Sequence, residues 1–261
     1  PIVNVTVDNT PPDIIPLSPD NNTTVNTRRP IISANYSDNV SGINIASVKM
    51  YLNGVDQPIL ANATNVSYKP QYNLGDGWYN VSLTVSDNAG NVNYTSWSFK
   101  VKPIKKHLNV TWGYDSSRNL GVMIPLNSTN LSSNDDGLYE IYLAPGGAYI
   151  EWRNQTYYFA NSTLNYSDII KSVNITFDEY NEKNNIYASL YLFNNITLLN
   201  YTIFERMKQA GNYTWEWDVS SNVTSKDILD NLQMKFLAYR TGSVSQVWVD
   251  WIDVAYEYYL E

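Results

Sequence analysis

Cysteine is absent from the 261 residues, which removes any disulfide framework, thiolate metal site or cysteine nucleophile. A single histidine, His107, leaves nothing from which to build a histidine-rich metal site, and it sits in a stretch placed for neither metal nor Ser-His-Asp chemistry. No Gly-rich phosphate loop and no nucleophile-elbow motif occurs. Charge is scarce at 16% of residues, and its balance is negative, −8 with a pI near 4.7. A surface that binds nucleic acid needs clustered Lys and Arg, so nucleic acid is excluded as a partner. No apolar run approaches the about 18 residues of a membrane span. Pro1 is not an initiator methionine, so the chain reads as a mature product or an excised piece, with any export signal or anchor lying elsewhere.

In place of charge the chain carries amides and hydroxyls: 34 Asn and 42 Ser plus Thr, beside 22 Tyr and 8 Trp. Twenty of the asparagines begin N-x-[ST], the acceptor for N-glycosylation: Asn4, Asn21, Asn22, Asn35, Asn39, Asn62, Asn65, Asn80, Asn93, Asn109, Asn127, Asn130, Asn154, Asn161, Asn165, Asn174, Asn195, Asn200, Asn212 and Asn222. Composition alone gives about five or six. Strand alternation also generates such triplets, but it has no direction, and the reversed pattern [ST]-x-N occurs only 10 times. The directional excess points to N-linked glycans and an extracellular location. At Asn80, Asn109, Asn174, Asn200 and Asn212 the acceptor shares a strand face with its Ser or Thr while the apolar middle residue faces the other way, so glycans there are expected in solvent.

Short alternating runs between turn signals predict an all-β fold in two domains, an antiparallel sandwich over residues 11–103, which the resemblance given below makes immunoglobulin-like, and a larger jelly-roll-like sandwich over 104–261. The predicted core of the first is Ile32, Ala34 and Tyr36; Val48, Met50 and Leu52; Tyr79, Val81, Leu83 and Val85; and Trp97, Phe99 and Val101. The second has about ten strands and one helix over Ser225–Leu232, capped by Thr224 or Ser225. "KVKPIKKHL" (100–108) reads as a short link. Residues 1–10 form a further element. Ile2 to Val7 alternate as a strand, and Pro11-Pro12 stops the ladder. Either this strand ends a preceding domain, or Ile2, Val3, Val5 and Val7 are donated to the open edge of a neighbouring subunit.

"TVNTRRPIISANYSDNVSGINIASVKMYLNGV" (24–55) and "LGDGWYNVSLTVSDNAGNVNYTSWSFKVK" (74–102) resemble the immunoglobulin-like repeats of prokaryotic cell-surface proteins. The resemblance implies that the D-x-A-G-N turn, Asp87 to Asn91, closes the last hairpin. Asp87 can fold back on its backbone and Gly90 can take positive φ, so the turn needs no ligand, although Asp87 or Asp38 could contribute to a calcium site. Such repeats together with abundant acceptors suggest an archaeal surface protein. "IIKSVNITFDEY" (169–180) to "VSQVWVDWIDVAYEYYLE" (244–261) resembles jelly-roll modules of secreted prokaryotic proteins, some of which bind sugars.

Strand parity places Trp215 and Trp217 on the core face, and Trp251 opposite Trp248, which makes Trp251 the sugar-stacking candidate. Asp250 falls on the core side and must be hydrogen-bonded or hold a cation; Asp135 and Asp136 on a loop are the other calcium candidates. A glycosidase needs only two carboxylates, for which Glu151, Glu179 and Glu216 would be the first to test, but with no motif behind them the chain is read as a non-enzyme. The expectation is a structural N-glycosylated filament, sheath, S-layer or stalk subunit whose partners are copies of itself or neighbouring surface domains. The alternative is a carbohydrate-binding or adhesin module.

Overall fold

The computed structural model describes residues 7–108, 110–115, 139–143, 151–181, 186–194, 197–207, 211–240 and 245–261, with parts of several later strands described by their backbone alone. The fold is all-β, an immunoglobulin-like sandwich followed by a larger jelly-roll-like one with one short helix. The chain divides into two compact units, residues 1–104 with 259–261, and residues 105–258.

The first unit contains β1 (Asp13–Ser18), β2 (Thr23–Val25), β3 (Ile32–Ser37), β4 (Lys49–Leu52), β5 (Val55–Asp56), β6 (Leu60–Ala61), β7 (Asn65–Tyr68), β8 (Gly77–Ser86) and β9 (Val92–Val101). They form a four-stranded sheet in the order β1-β3-β7-β6 and a five-stranded sheet in the order β2-β9-β8-β4-β5, where β2 pairs parallel to β9. β8 and β9 make the longest hairpin, in register from Gly77↔Val101 to Ser86↔Val92. Because side chains alternate across a strand, its apolar positions fall on one face. Val81, Leu83 and Val85 are buried with Trp97, Phe99 and Val101 and with Met50 and Leu52 of the neighbouring β4, and Ile32, Ala34 and Tyr36 of the other sheet close the core together with Val48. Tyr79 is half-buried and stacks on Phe99 at 5.6 Å. Pro16, which has no N–H to give a ladder, stands on the edge strand β1, where the register shifts beside it.

The chain's last residues also belong to this unit. Tyr259 is buried in its core cluster, the Arg28 guanidinium lies 5.1 Å from the Tyr259 ring centre, and the Tyr259 hydroxyl donates to Asp76. The Leu260 N–H donates to the Asn26 carbonyl at 2.9 Å, and Thr27 and Leu260 form a parallel bridge.

Ten strands are described in the second unit: β10 (Ile104–Leu108), β11 (Val110–Asp115), β12 (Tyr139–Leu143), β13 (Glu151–Phe159), β14 (Ile169–Asn181), β15 (Ile186–Asn194), β16 (Thr197–Met207), β17 (Gly211–Asp218), β18 (Leu232–Arg240) and β19 (Ser245–Tyr259). One sheet runs β10-β19-β14-β17 with β12 also on β19, the other β11-β13-β18-β15-β16. The expected link at 100–108 is thus largely strand, and only Lys102 and Pro103 lie between β9 and β10. Val173, Ile175, Phe177, Ile252, Val254 and Tyr256 bury the inner face of the first sheet, and Val110, Phe159, Leu192 and Met234 are buried from the second.

Helix α1 (Lys226–Asp230) is shorter than the expected 225–232, because Leu232 already starts β18. Ser225 caps it, its Oγ accepting from the Ile228 N–H at 3.4 Å. Asp230 Oδ2 meets Lys226 Nζ at 2.6 Å, and its Oδ1 accepts from the N–H and Oγ of Ser162 at 2.7 and 2.5 Å. Among the described residues no helix is long and apolar enough to cross a membrane.

Candidate functional site

Two places concentrate polar chemistry. The first is where the chain enters the first unit. Asp87 ends β8's run into the D-x-A-G-N turn, its Oδ1 accepting from the Asn91 N–H at 2.8 Å and its Oδ2 from the Asn91 side chain at 2.7 Å, while Gly90 takes φ +95°. Only a residue without Cβ adopts that φ at no steric cost. Asp38 Oδ1 accepts from the N–H groups of Val40, Ser41 and Gly42, at 3.2, 2.8 and 2.6 Å. Asp8 joins them: its Oδ2 accepts from the Ser41 N–H at 3.1 Å, and its backbone carbonyl from the Asn91 side chain at 3.1 Å. Asp8, Asp38 and Asp87 each offer one oxygen, all within 4.8 Å of one another, a donor set of the hard kind that suits calcium. Sequence reading named Asp38 and Asp87 and missed Asp8.

The second place is a groove of about 420 Å³ on the outer face of the β10-β19-β14-β17 sheet. Lys105 and His107 on β10, Asp253, Ala255 and Glu257 on β19, Ser172, Asn174 and Thr176 on β14 and Glu216 on β17 line it. Parity explains the lining, since Val173, Ile175, Ile252, Val254 and Tyr256 between these positions point inward and are buried. His107 Nδ1 lies 2.8 and 2.9 Å from the two oxygens of Asp253. Lys171 Nζ pairs with Glu257 Oε2 at 3.1 Å, and Ser172 Oγ donates to the same oxygen at 3.5 Å. Carboxylates, imidazole, ammonium, hydroxyl and carboxamide here face one space, an arrangement able to hydrogen-bond a polyhydroxylated ligand. No aromatic residue is among the described lining residues.

The acceptor asparagines can be placed next. Of twelve whose side chains are described, ten are exposed: Asn21, Asn22, Asn35, Asn39, Asn62, Asn65, Asn80, Asn161, Asn165 and Asn174. Asn93 and Asn222 are half-buried, their Nδ2 groups donating to the carbonyls of Pro12 and Leu199 at 2.7 and 3.0 Å. At Asn62 the Thr64 hydroxyl donates to the Asn62 carboxamide oxygen at 3.1 Å, joining the two polar members of one acceptor triplet. The side chains of Asn4, Asn109, Asn127, Asn130, Asn154, Asn195, Asn200 and Asn212 lie outside the described residues.

Of the calcium candidates, Asp135 and Asp136 lie outside the described residues, and Asp250 is described by its backbone in β19, at the strand parity of Ile252 and Val254. Trp251, likewise described by backbone, falls at the parity of Asp253 and Ala255, the face that carries the groove. Trp215 and Trp217 pair across the sheet with Phe177 and Ile175 on the core side and are half-buried on edge strand β17. Glu216 lies in the groove, while the side chains of Glu151 and Glu179 lie outside the described residues. Of the proposed assembly strand only Val7 is described; it is 71% exposed and belongs to no described strand.

No family model matches this chain, and no curated protein does. Among solved structures, CopC from Methylosinus trichosporium OB3b is 14% identical over 34% of this chain and 94% of its own, with a TM-score of 0.29. A carbohydrate-binding module from the β-sandwich superfamily is 14% identical over 95% and 99%, with a TM-score of 0.29. SGBP-B of the Bacteroides ovatus mixed-linkage glucan utilization locus, solved with a mixed-linkage heptasaccharide, is 12% identical over 90% and 50%, with a TM-score of 0.22. At these scores the likenesses carry no inference about the site, which stands on its own residues.

Proposed function

We propose that this chain is a structural, N-glycosylated protein of the cell surface, a subunit of a filament, sheath, lattice or stalk, of the archaeal type that its repeat-like first unit resembles. The observation that carries this reading is the direction and placement of the acceptors: the acceptor order outnumbers its reverse two to one, and ten of the twelve acceptor asparagines whose side chains are described are exposed. Exposure leaves those ten side chains open to attachment, and the forward order of the triplet, which strand alternation does not favour over its reverse, is what sets them apart from an ordinary polar strand face. The reading is non-enzymatic, and it rests on the sequence's lack of any catalytic motif. The test is the intact mass of the protein from its native envelope, expected well above the 29.8 kDa of the bare chain. A mass at the bare-chain value would remove the argument for its location.

In the assembling form of this reading, the strand before Asp8 pairs with a neighbouring subunit. Supporting it, Asp8 is moored to Ser41 and Asn91 while Val7 stands exposed beside it. A second reading, a carbohydrate-binding or adhesin module, is favoured by the groove and by the strand parity that gives Trp251 the groove's face. Glycan-array binding that is lost in Trp251→Ala would select it over the structural one.

A further inference from the structure

The groove of the second unit and the acceptor pattern meet at one residue. Asn174 begins the triplet Asn174-Ile175-Thr176; both polar members line the groove, and Ile175 between them is 1% exposed in the core. No other acceptor asparagine is among the described lining residues. A glycan at Asn174 therefore starts among the side chains that line the groove. The geometry points to a built-in occupant: the glycan joined to Asn174 seats its first sugar in this groove, against the chain's own Glu216, Asp253 and Glu257. The inference rests on the glycoprotein reading above.

The argument for a tethered sugar over a free one is energetic. A free ligand must offset lost translational and rotational freedom, and the described lining residues are all polar or small, with no Phe, Tyr or Trp ring among them to help it do so. A ring already bonded to Asn174 meets the groove at the high effective concentration of an intramolecular contact, so a few hydrogen bonds suffice to hold it. The register places Glu216 directly across from Thr176 and Asp218 across from Asn174, so β17 presents carboxylates beside the attachment point. On the other side stand Asp253, held by His107, and Glu257, held by Lys171. Carboxylates fixed in this way are oriented acceptors for sugar hydroxyls. The volume, about 420 Å³, falls within the range of small-molecule clefts, about 300–1,000 Å³. Attachment forms a bond between the Asn174 Nδ2 and the anomeric carbon of a sugar activated as a phosphate ester. The carbon–oxygen bond to phosphate breaks, the phosphate leaves with that electron pair, and one amide proton passes to a base of the transferring enzyme.

The experiment uses the full chain from a glycosylating source, with glycopeptide mapping and thermal unfolding of wild type, Asn174→Gln and Asn165→Gln, each also prepared without glycans. Asn165 is exposed and lies outside the groove. Asn174 is expected to be occupied, and Asn174→Gln to lower Tm by about 2 °C or more in glycosylated material only, with Asn165→Gln silent. Release of the Asn174 glycan by a deglycosylating amidase under native conditions is expected to be several-fold slower than release from Asn165. Asn174 bare while other acceptors carry glycans overturns this inference and leaves the glycoprotein reading standing. No acceptor occupied anywhere overturns that reading itself. Asn174 occupied, with both variants and both release rates alike, places its glycan outside the groove and overturns the seating.

Discussion

Asp87 is 1% exposed, and burial alone would raise its carboxyl; the Asn91 side chain and the N–H groups of Asn91, Gly90 and Ala89 outweigh that and hold it below the usual 3.8. A carboxylate depressed in the folded state stabilises the fold above its unfolded value, and that stabilisation is lost as pH falls through the folded one. Asp87→Asn should therefore unfold more easily than wild type at neutral pH, with the difference shrinking as pH is taken below 3.8, as followed by circular dichroism. A difference that persists unchanged in acid would show that the charge is not what the turn uses. This turn was legible because its bonds are local, four residues from Asp87 to Asn91. Asp8 was not, since its partners Ser41 and Asn91 lie 33 and 83 residues along the chain, and no local pattern announces such a meeting.

Among elements, α1 is where one side chain joins distant segments. Asp230 binds Lys226 a turn earlier and the N–H of Ser162, 68 residues away. Burial would raise its carboxyl, but Lys226 and Ser162 bring it below 3.8, and the bond to Asp230 lifts Lys226 above its usual 10.5. By the same linkage, the carboxylate's contribution is lost as pH falls through its lowered value. The ammonium's is full below 10.5 and lost as pH rises through its raised one, so the pair works between 3.8 and 10.5. Asp230→Ala, which leaves the Ser162 N–H without its acceptor, should cost about 1–3 kcal/mol in denaturant unfolding at neutral pH. No measurable loss would mean that water replaces the carboxylate there. The helix itself was readable from Ser225 and its following run, as were strands such as β8 and β14 from their alternation. The groove was not, because it is assembled from β10, β14, β17 and β19, and sheet order cannot be read from periodicity.

For the whole molecule, scarcity of charge and abundance of asparagine lead to one expectation: solubility carried by sugar more than by ions. Protein made without glycans should aggregate more readily than the glycosylated form at matched concentration, as measured by light scattering. Equal behaviour would assign the surface's solubility to its own side chains. In the strand-donation form of the proposal, residues 1–7 are the joint, and a chain beginning at Asp8 should stay dispersed under conditions where the longer one is found to polymerise. If both polymerise alike, the strand is not the joint.

The return of Tyr259–Glu261 to the first unit has a mechanical meaning. The chain leaves that unit at Ile104 and comes back after Tyr258, so a pull applied between Val7 and Glu261 enters and exits through the same body. While the bond from Leu260 to Asn26, the Thr27 bridge and the buried Tyr259 ring hold, force between those two points passes through the first unit alone, and the second unit, an excursion of the chain between Ile104 and Tyr259, bears none of it. Should that three-residue clasp peel, the second unit falls into series and its whole folded length becomes available as slack. Under tension, the clasp would act as a fuse that turns a short link into an extensible one.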